Sequence, residues 1–442
     1  MTSGLEKERQ TGLVRAIGRW GLVGLTMNII IGAGIFGLPS RIFGLAKGWS
    51  IVAYLVCALF VGLITLCFAE VGSRFSETGG PYLYARVAFG PLIGFEVGWL
   101  LWLARVTALA ALCNLLIGYL SLFWPASDSG STRVIAITVV VVALTIINVI
   151  GVREAAVVNN LFIISKLTPL LLFVIAGLFF VNPASFTGQP SNYRDFSTAV
   201  LLLVFAFSGV EMAVIPAGEF REPQRNIAFA LLTATGLVAL LYIAVQAVCI
   251  GTLPGLAGSE RPLVDASSNF LGRAGISITS IGALISVSGT LNSTMLAGPR
   301  LLFAMAEKGQ LPRVLAATHQ RFRTPYVSIL ISAAAMFVLA LQGTFMSTLT
   351  ISTVIRLLAY VATCVALPVL RSRSDAPLSR FSVPGGVVVS FVATLLSVWL
   401  LSSSAAKDAT AAGLSALLGL VIYAVMTVLR QRRTSEILRS PT

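Results

Sequence analysis

Charge is what this chain has least of. Only 11% of its residues are Asp, Glu, Lys or Arg, where soluble domains run nearer about a quarter. With 57% of its 442 residues hydrophobic, a water-soluble fold would lack the polar side chains to cover its surface. There is one histidine, His319, beside Arg321 and Arg323 in a polar connector. It stands in no metal-ligand cluster and reads as a solvated loop residue. Cysteine is also sparse, and all five (57, 67, 113, 249 and 364) lie inside apolar blocks, which implies packing thiols and no disulfide framework. A G-x-x-x-x-G-K-[ST] phosphate loop is absent, so ATP does not drive the protein directly. No connector is long enough for a soluble catalytic domain. The apolar blocks lack the period-2 alternation of a membrane barrel.

What is present is a series of long apolar runs, such as 51–68, 134–150 and 161–181. Each suffices to cross about 30 Å of hydrocarbon as a helix, the element that satisfies its own backbone in lipid. The expectation is an all-α membrane protein with twelve transmembrane helices. They fall near 20–45, 50–70, 92–120, 133–150, 159–181, 196–217, 228–252, 275–304, 325–342, 348–370, 384–403 and 410–430. No cleavage site precedes the first, which is expected to be retained. If the N-terminus is cytoplasmic, 21 of the 31 lysines and arginines fall on the cytoplasmic side, 7 on the other and 3 within spans. By the positive-inside rule both termini are expected in the cytoplasm, in a cell-membrane protein. The net charge of +14 therefore belongs to membrane connectors, and no nucleic-acid partner is implied.

Two spans carry glycine at mid-membrane. The first reads N-I-I-I-G-A-G-I-F-G from Asn28 to Gly37; the sixth reads F-A-F-S-G-V-E from Phe205 to Glu211. Close helix packing by small residues is one reading. The other is a broken helix whose unwound amides face an anion. The two interruptions are five spans apart, an offset that inverts one half against the other, and paired interruptions of this kind mark the binding site of secondary transporters. Four charged residues, Arg105, Lys166, Glu211 and Arg356, sit within spans. There a charge costs about 2.5–3.5 kcal/mol even on the lenient scale. They read either as mutually neutralising structural pairs or as functional groups. Arg356 is expected to be a cytoplasm-facing structural cation.

These motifs, taken in order, resemble the amino acid–polyamine–organocation superfamily of permeases. Gly32-Ala-Gly-Ile-Phe36 is similar to its G-[SA]-G-[IV]-F signature, and Phe205 to Glu211 to its sixth-span motif. The runs from Glu219 to Ile227, Gly79 to Tyr82 and Arg300 to Pro312 also fit. The resemblance covers about residues 20–430. It implies a five-plus-five inverted-repeat (LeuT-type) fold with helices 1 and 6 interrupted. The first repeat would span 20–181 and the second 196–370, with spans eleven and twelve at 384–430 and cytoplasmic tails at 1–19 and 431–442.

The same resemblance implies roles. Gly32, Ala33, Gly34 and Ile35 would present backbone to a substrate carboxylate. Phe205, Ala206, Ser208 and Gly209 would take the ammonium, with Phe205 closing the pocket. Lys166 would bridge the first span to span eight, where sodium-coupled relatives hold an ion, and Lys166 and Glu211 would couple a proton or set the conformational equilibrium. Arg105 aligns, through Trp102-Leu-Ala-Arg105, with a position facing the substrate's distal end, and Ser293 stands where arginine/agmatine exchangers carry a gating tryptophan. Both departures disfavour cationic side chains. Arg105 suits a neutral substrate if Glu211 neutralises it and an acidic one if it stays free. The expected function is secondary active transport of α-amino acids by proton symport or exchange, with no cofactor and no obligatory protein partner. The rival classes are an amino-acid-binding membrane sensor or channel, an amine or polyamine exchanger, and a membrane enzyme, the last weakened by the lack of a nucleophile–base set.

Overall fold

The structure, a computed structural model, describes residues 17–77, 79–150, 155–190, 192–215, 217, 220–322 and 324–439. The N-terminal tail before residue 17, and Arg153, Glu219 and Arg323, lie outside the described residues. Among those described, the regular elements are helices, and β pairing is confined to an isolated parallel bridge between Ile17 and Phe220. Nine helical stretches among them are long and apolar enough to cross a membrane, and three shorter apolar ones are Ile163–Leu178, Tyr326–Gln342 and Gly386–Ser402.

The first expected span is three helices: α1 (Arg19–Ile30), α2 (Ala33–Gly37) and α3 (Pro39–Ala46). Then follow α4 (Ser50–Gly72), a short α5 (Pro81–Phe89) between the second and third expected spans, α6 (Pro91–Leu120), α7 (Gly130–Ile150) and α8 (Ala155–Leu178). The sixth expected span is α9 (Tyr193–Ala206) and α10 (Val210–Ala213). Beyond it lie α11 (Pro223–Thr252), α12 (Pro262–Glu307), α13 (Tyr326–Gln342), α14 (Phe345–Ser372), α15 (Gly386–Ser402) and α16 (Ala406–Arg439). Of these, α12 starts well before the expected 275 and turns at Gly272 (φ 58°, ψ −140°).

Local chemistry sets these boundaries. Proline opens α3, α5, α6, α11 and α12 in the first turn, where the missing N–H has no intrahelical partner to lose. Asn192 caps α9 by accepting from the Asp195 amide at 2.8 Å. Thr344 and Ser347 form a reciprocal capping box at the start of α14.

Burial separates centre from periphery. In α6, 89% of the most apolar stretch is buried, and in α9–α10 83%, against 28% for α7 and 11% for α16. The outer helices turn leucines, valines and isoleucines outward, including Val139, Ile146, Leu395 and Leu417, as a lipid-facing surface requires.

Both glycine-bearing segments break. Between α1 and α2, Ile31 is extended (φ −71°, ψ 97°) and Gly32 leaves helical geometry altogether (φ −137°, ψ −142°). Between α9 and α10, Gly209 adopts φ 137° and ψ −20°, a conformation L side chains avoid. The breaks interlock. A Cβ on Gly34 would overlap the Ala206 backbone, and one on Gly209 would lie 2.9 Å from the Ile29 Cγ2 and 3.2 Å from the Ile30 nitrogen. The start of α2 thus lies against the end of α9, and the end of α1 against the start of α10. Gly209→Ala is expected to lower stability by about 1–3 kcal/mol, the cost of a side chain in a sparsely populated backbone region. Thermal unfolding of the detergent-solubilised protein measures it, and an unchanged Tm would show that the break relaxes freely.

Candidate functional site

A helix broken inside a membrane leaves carbonyls and amides without partners, and each left unmet costs several kcal/mol. Side chains from other helices meet them here. The Lys166 Nζ, fully buried on α8, donates to the carbonyls of Asn28 (2.9 Å) and Ile31 (3.1 Å) and to the Thr290 Oγ1 (2.8 Å). All three ammonium protons therefore have acceptors, and the α1–α2 break is tied through α8 to α12. The Tyr242 hydroxyl on α11 lies 3.1 Å from the Ile30 carbonyl and 3.2 Å from that of Ala206, within donating reach of one oxygen at each break. At the second break Ser208 turns back, its hydroxyl donating to the Phe205 carbonyl at 2.7 Å.

Glu211, just past the second break, is fully buried and surrounded by donors. Its Oε2 accepts from the Gly209 amide at 2.9 Å and from the Tyr360 hydroxyl at 2.6 Å. Its Oε1 pairs with the Arg105 Nη2 and lies 3.2 Å from the Arg356 Nε. Every neighbour of the two oxygens is a donor, so the arrangement is that of a carboxylate. This corrects the expectation for Arg356. It is not a cytoplasm-facing cation but a fully buried partner of Glu211, anchored by Ser352 at 3.2 Å and standing 5.9 Å over the Phe205 ring. Ser352 in turn donates to the Ala104 carbonyl at 2.7 Å, which fixes α14 against α6 beside Arg105.

Between the breaks lies a small cavity of about 30 Å³. Of the sequence-named residues, Gly32, Ala33, Gly34, Arg105, Phe205 and Ser208 line it; Arg356, Thr290, Thr294 and Met212 do so as well. Ile35, Ala206, Gly209 and Ser293 are not on its wall. Ala206 and Gly209 form the interlocked backbones behind it, and the Ser293 hydroxyl turns to the Gly289 carbonyl at 2.9 Å. Lys166 and Glu211 stand one layer out, holding wall residues in place.

Contacts tie the segments on either side of the breaks together. Towards α2, Phe205 meets Phe345 edge-on at 6.4 Å, Phe345 lies against Gly37, and Tyr119 bonds the Phe36 carbonyl at 3.1 Å. Towards the start of α1, the Gly79 amide donates to the Ile215 carbonyl at 3.1 Å, and the Arg221 amide donates to the Ile17 carbonyl at 2.9 Å. Elsewhere, the His319 Nδ1 accepts from the amides of Arg321 and Phe322, an ordinary loop-closing role.

Sequence reasoning flagged every charge in this site but missed Tyr242, Tyr360 and Thr290. Their signal was a hydroxyl within an apolar stretch. It is weak, because a hydroxyl there also satisfies itself on its own helix, as Thr65 does on Val61.

Apolar outer helices around two interlocked breaks and a buried charge cluster define a multi-pass membrane protein whose polar interior sits at mid-helix. The chain belongs to the amino acid permease family, whose sequence profile matches residues 17–429, within the amino acid–polyamine–organocation superfamily. It is 29% identical over 435 residues to the serine/threonine exchanger SteT of Bacillus subtilis, covering 96% of this chain and 99% of that one. It is 27% identical to the branched-chain amino acid permease BcaP of the same organism, over 94% and 93% of the two chains. The methylthioribose transporter of B. subtilis is also 27% identical, over 90% of each. These relatives are transporters, not enzymes.

Glu211→Gln is expected to destabilise the protein by about 3–5 kcal/mol, since two guanidiniums lose their carboxylate. Adding Arg356→Met should recover part of that loss, as coupled sites do. Unfolding titrations of the single and double variants check this; strict additivity would refute the shared cluster. Lys166→Met, which strips the donors from three acceptors, is expected to cost about 1.5–3 kcal/mol, as for hydrogen bonds to a charged group, and to reduce transport by at least about tenfold. Uptake at matched protein density measures the second effect.

Proposed function

We propose that the protein carries small α-amino acids across the cell membrane by alternating access, as a secondary active transporter working by proton symport or by exchange. The observation that carries this reading is the pair of helix breaks interlocked across one cavity. A helix start leaves its first amides without intrahelical carbonyls. The amides opening α2 at Ala33, Gly34 and Ile35 are of this kind and suit an α-carboxylate. Carbonyls at the α9 end, beside Phe205 and Ser208, suit an α-ammonium. The substrate would thus be recognised largely through backbone, which leaves side-chain choice to the far wall of the cavity. There Arg105 and Arg356 oppose a cationic side chain, so neutral amino acids are favoured over cationic ones and over polyamines.

In this reading twelve helices cross the membrane as two inverted five-helix repeats and a terminal pair, with both termini cytoplasmic. Phe205 and Phe345 form the outer closure, and the α1 start with the connector after α10 the inner one. In alternating access one of these layers would open to admit the solute while the other stays shut. Lys166 transmits the state of the first break to α12, and Glu211 that of the second to α6 and α14, so these two residues set the coupling. The relatives bear the names of an exchanger, a permease and a sugar-derivative transporter, and the family alone does not choose the substrate.

Uptake of labelled amino acids into proteoliposomes tests the proposal. Saturable uptake of a non-cationic amino acid is expected. Stimulation by an inward proton gradient would identify symport, and dependence on preloaded unlabelled amino acid would identify exchange. Binding without uptake under every condition would replace the carrier with a sensor, uptake that does not saturate would indicate a channel, and preference for arginine or a polyamine would reverse the reading of the two arginines.

A further inference from the structure

The charge around the cavity does not cancel. Arg105 and Arg356 both line it, and both are buried, at 4% and 0% exposure. They share a single carboxylate, that of Glu211, through the same oxygen, Oε1. Among the described residues no other carboxylate forms an ion pair with either guanidinium. Two cations against one anion leave one positive charge over, in a place where water cannot disperse it. Donors are left over as well. The Arg105 Nε and the Arg356 Nη1 are buried without hydrogen-bond partners. A buried guanidinium ordinarily finds acceptors for its fork of donors, and these two residues, each with a donor unused, both belong to the cavity wall.

A neutral side chain would leave both deficits in place. A carboxylate would meet both, with two oxygens able to accept from the spare N–H groups and a negative charge to match the surplus. The α1–α2 break at Gly32, Ala33 and Gly34 and the two arginines line the same cavity, so one amino acid can engage both.

We propose that Arg105 and Arg356 form a side-chain carboxylate subsite, so that the preferred substrate is an acidic α-amino acid. This deepens the carrier reading above and rests on it. Arg105 does not act as a free cation and is not silenced by Glu211. The carboxylate of Glu211 holds the two guanidiniums side by side against their repulsion, and the pair together presents one net charge. Glu211 is then a positioning residue for the subsite.

The test uses pairs that differ in charge but hardly in shape: aspartate against asparagine, and glutamate against glutamine. The full-length protein is reconstituted in liposomes, and each unlabelled compound competes with uptake of labelled aspartate, glutamate and serine. The acids are expected to inhibit at concentrations at least about tenfold below their amides, a discrimination of about 1.4 kcal/mol. In Arg105→Gln and in Arg356→Gln, each of which leaves one guanidinium to one carboxylate, the acid-to-amide ratio should fall towards unity whatever the total rate. Should either variant fail to fold, the wild-type competition decides by itself.

Amides that inhibit as well as or better than acids, with amino acids still transported, would overturn the subsite and leave the carrier standing. An acid preference untouched by both substitutions would place the anion elsewhere and equally overturn it. No competition or uptake by any amino acid would remove the carrier reading along with the inference built on it.

Discussion

Lys166 donates to Asn28, Ile31 and Thr290 at once, and much of the interior is arranged so that this can happen. Breaking a membrane helix exposes polar backbone where no water comes, and the break persists only if another helix supplies donors and acceptors. Lys166 does this for the first break, Tyr242 reaches both, and the Glu211 carboxylate receives the Gly209 amide at the second. Each of these side chains sits on a helix held close to α1 or α9–α10. The interruptions therefore require particular neighbours, and those neighbours place Arg105, Arg356 and Thr290 around the cavity.

Solving the backbone problem with charged groups creates an electrostatic one. Burying an ion is unfavourable unless a partner and further hydrogen bonds meet it. Glu211 illustrates a fuller answer, with three hydrogen-bond donors on its two oxygens and the Arg356 guanidinium paired beside them. Its arginines illustrate an incomplete one. A purely structural cluster would be expected to satisfy both sides; the two arginines left with unmet donors are both residues of the cavity wall.

The apolar runs made the helix inventory legible from sequence. The expected 50–70, 92–120 and 325–342 became Ser50–Gly72, Pro91–Leu120 and Tyr326–Gln342, because desolvation dictates where such runs start and stop. Gly32, Gly34 and Gly209 likewise pointed to the breaks, because the two glycine-bearing segments stand five spans apart, as paired interruptions do. What stayed hidden was non-local. Nothing near Arg356 in the chain points to Glu211, and its neighbours suggested only a cation in an apolar stretch. Tyr360 looked like any buried aromatic until its hydroxyl proved to face the same carboxylate at 2.6 Å. α5 was missed for a different reason: it is short, with Arg86 in its last turn, and carries no membrane-length run.

A second carboxylate repeats the pattern, again with partners from α14. Glu70, fully buried at the end of α4, receives two 2.6 Å hydrogen bonds from Arg371 on α14, with Arg74 3.6 Å away and the Val383 amide at 2.8 Å. α14 thus offers Arg356 and Tyr360 to one acid and Arg371 to another, the two anchors being about 16–23 Å apart along its axis at 1.5 Å per residue. A rod pinned at two heights has lost its freedom to roll or to slip. A one-residue slip would swing its polar stripe through about 100° and break both anchors together. Any motion that parts α14 from α4 or α10 must open a buried ion pair, whereas a tilt of the three as a single splint spares both of these and loads only the Arg105–Glu211 pair to α6. The gearing of the molecule is written in which helices share an acid.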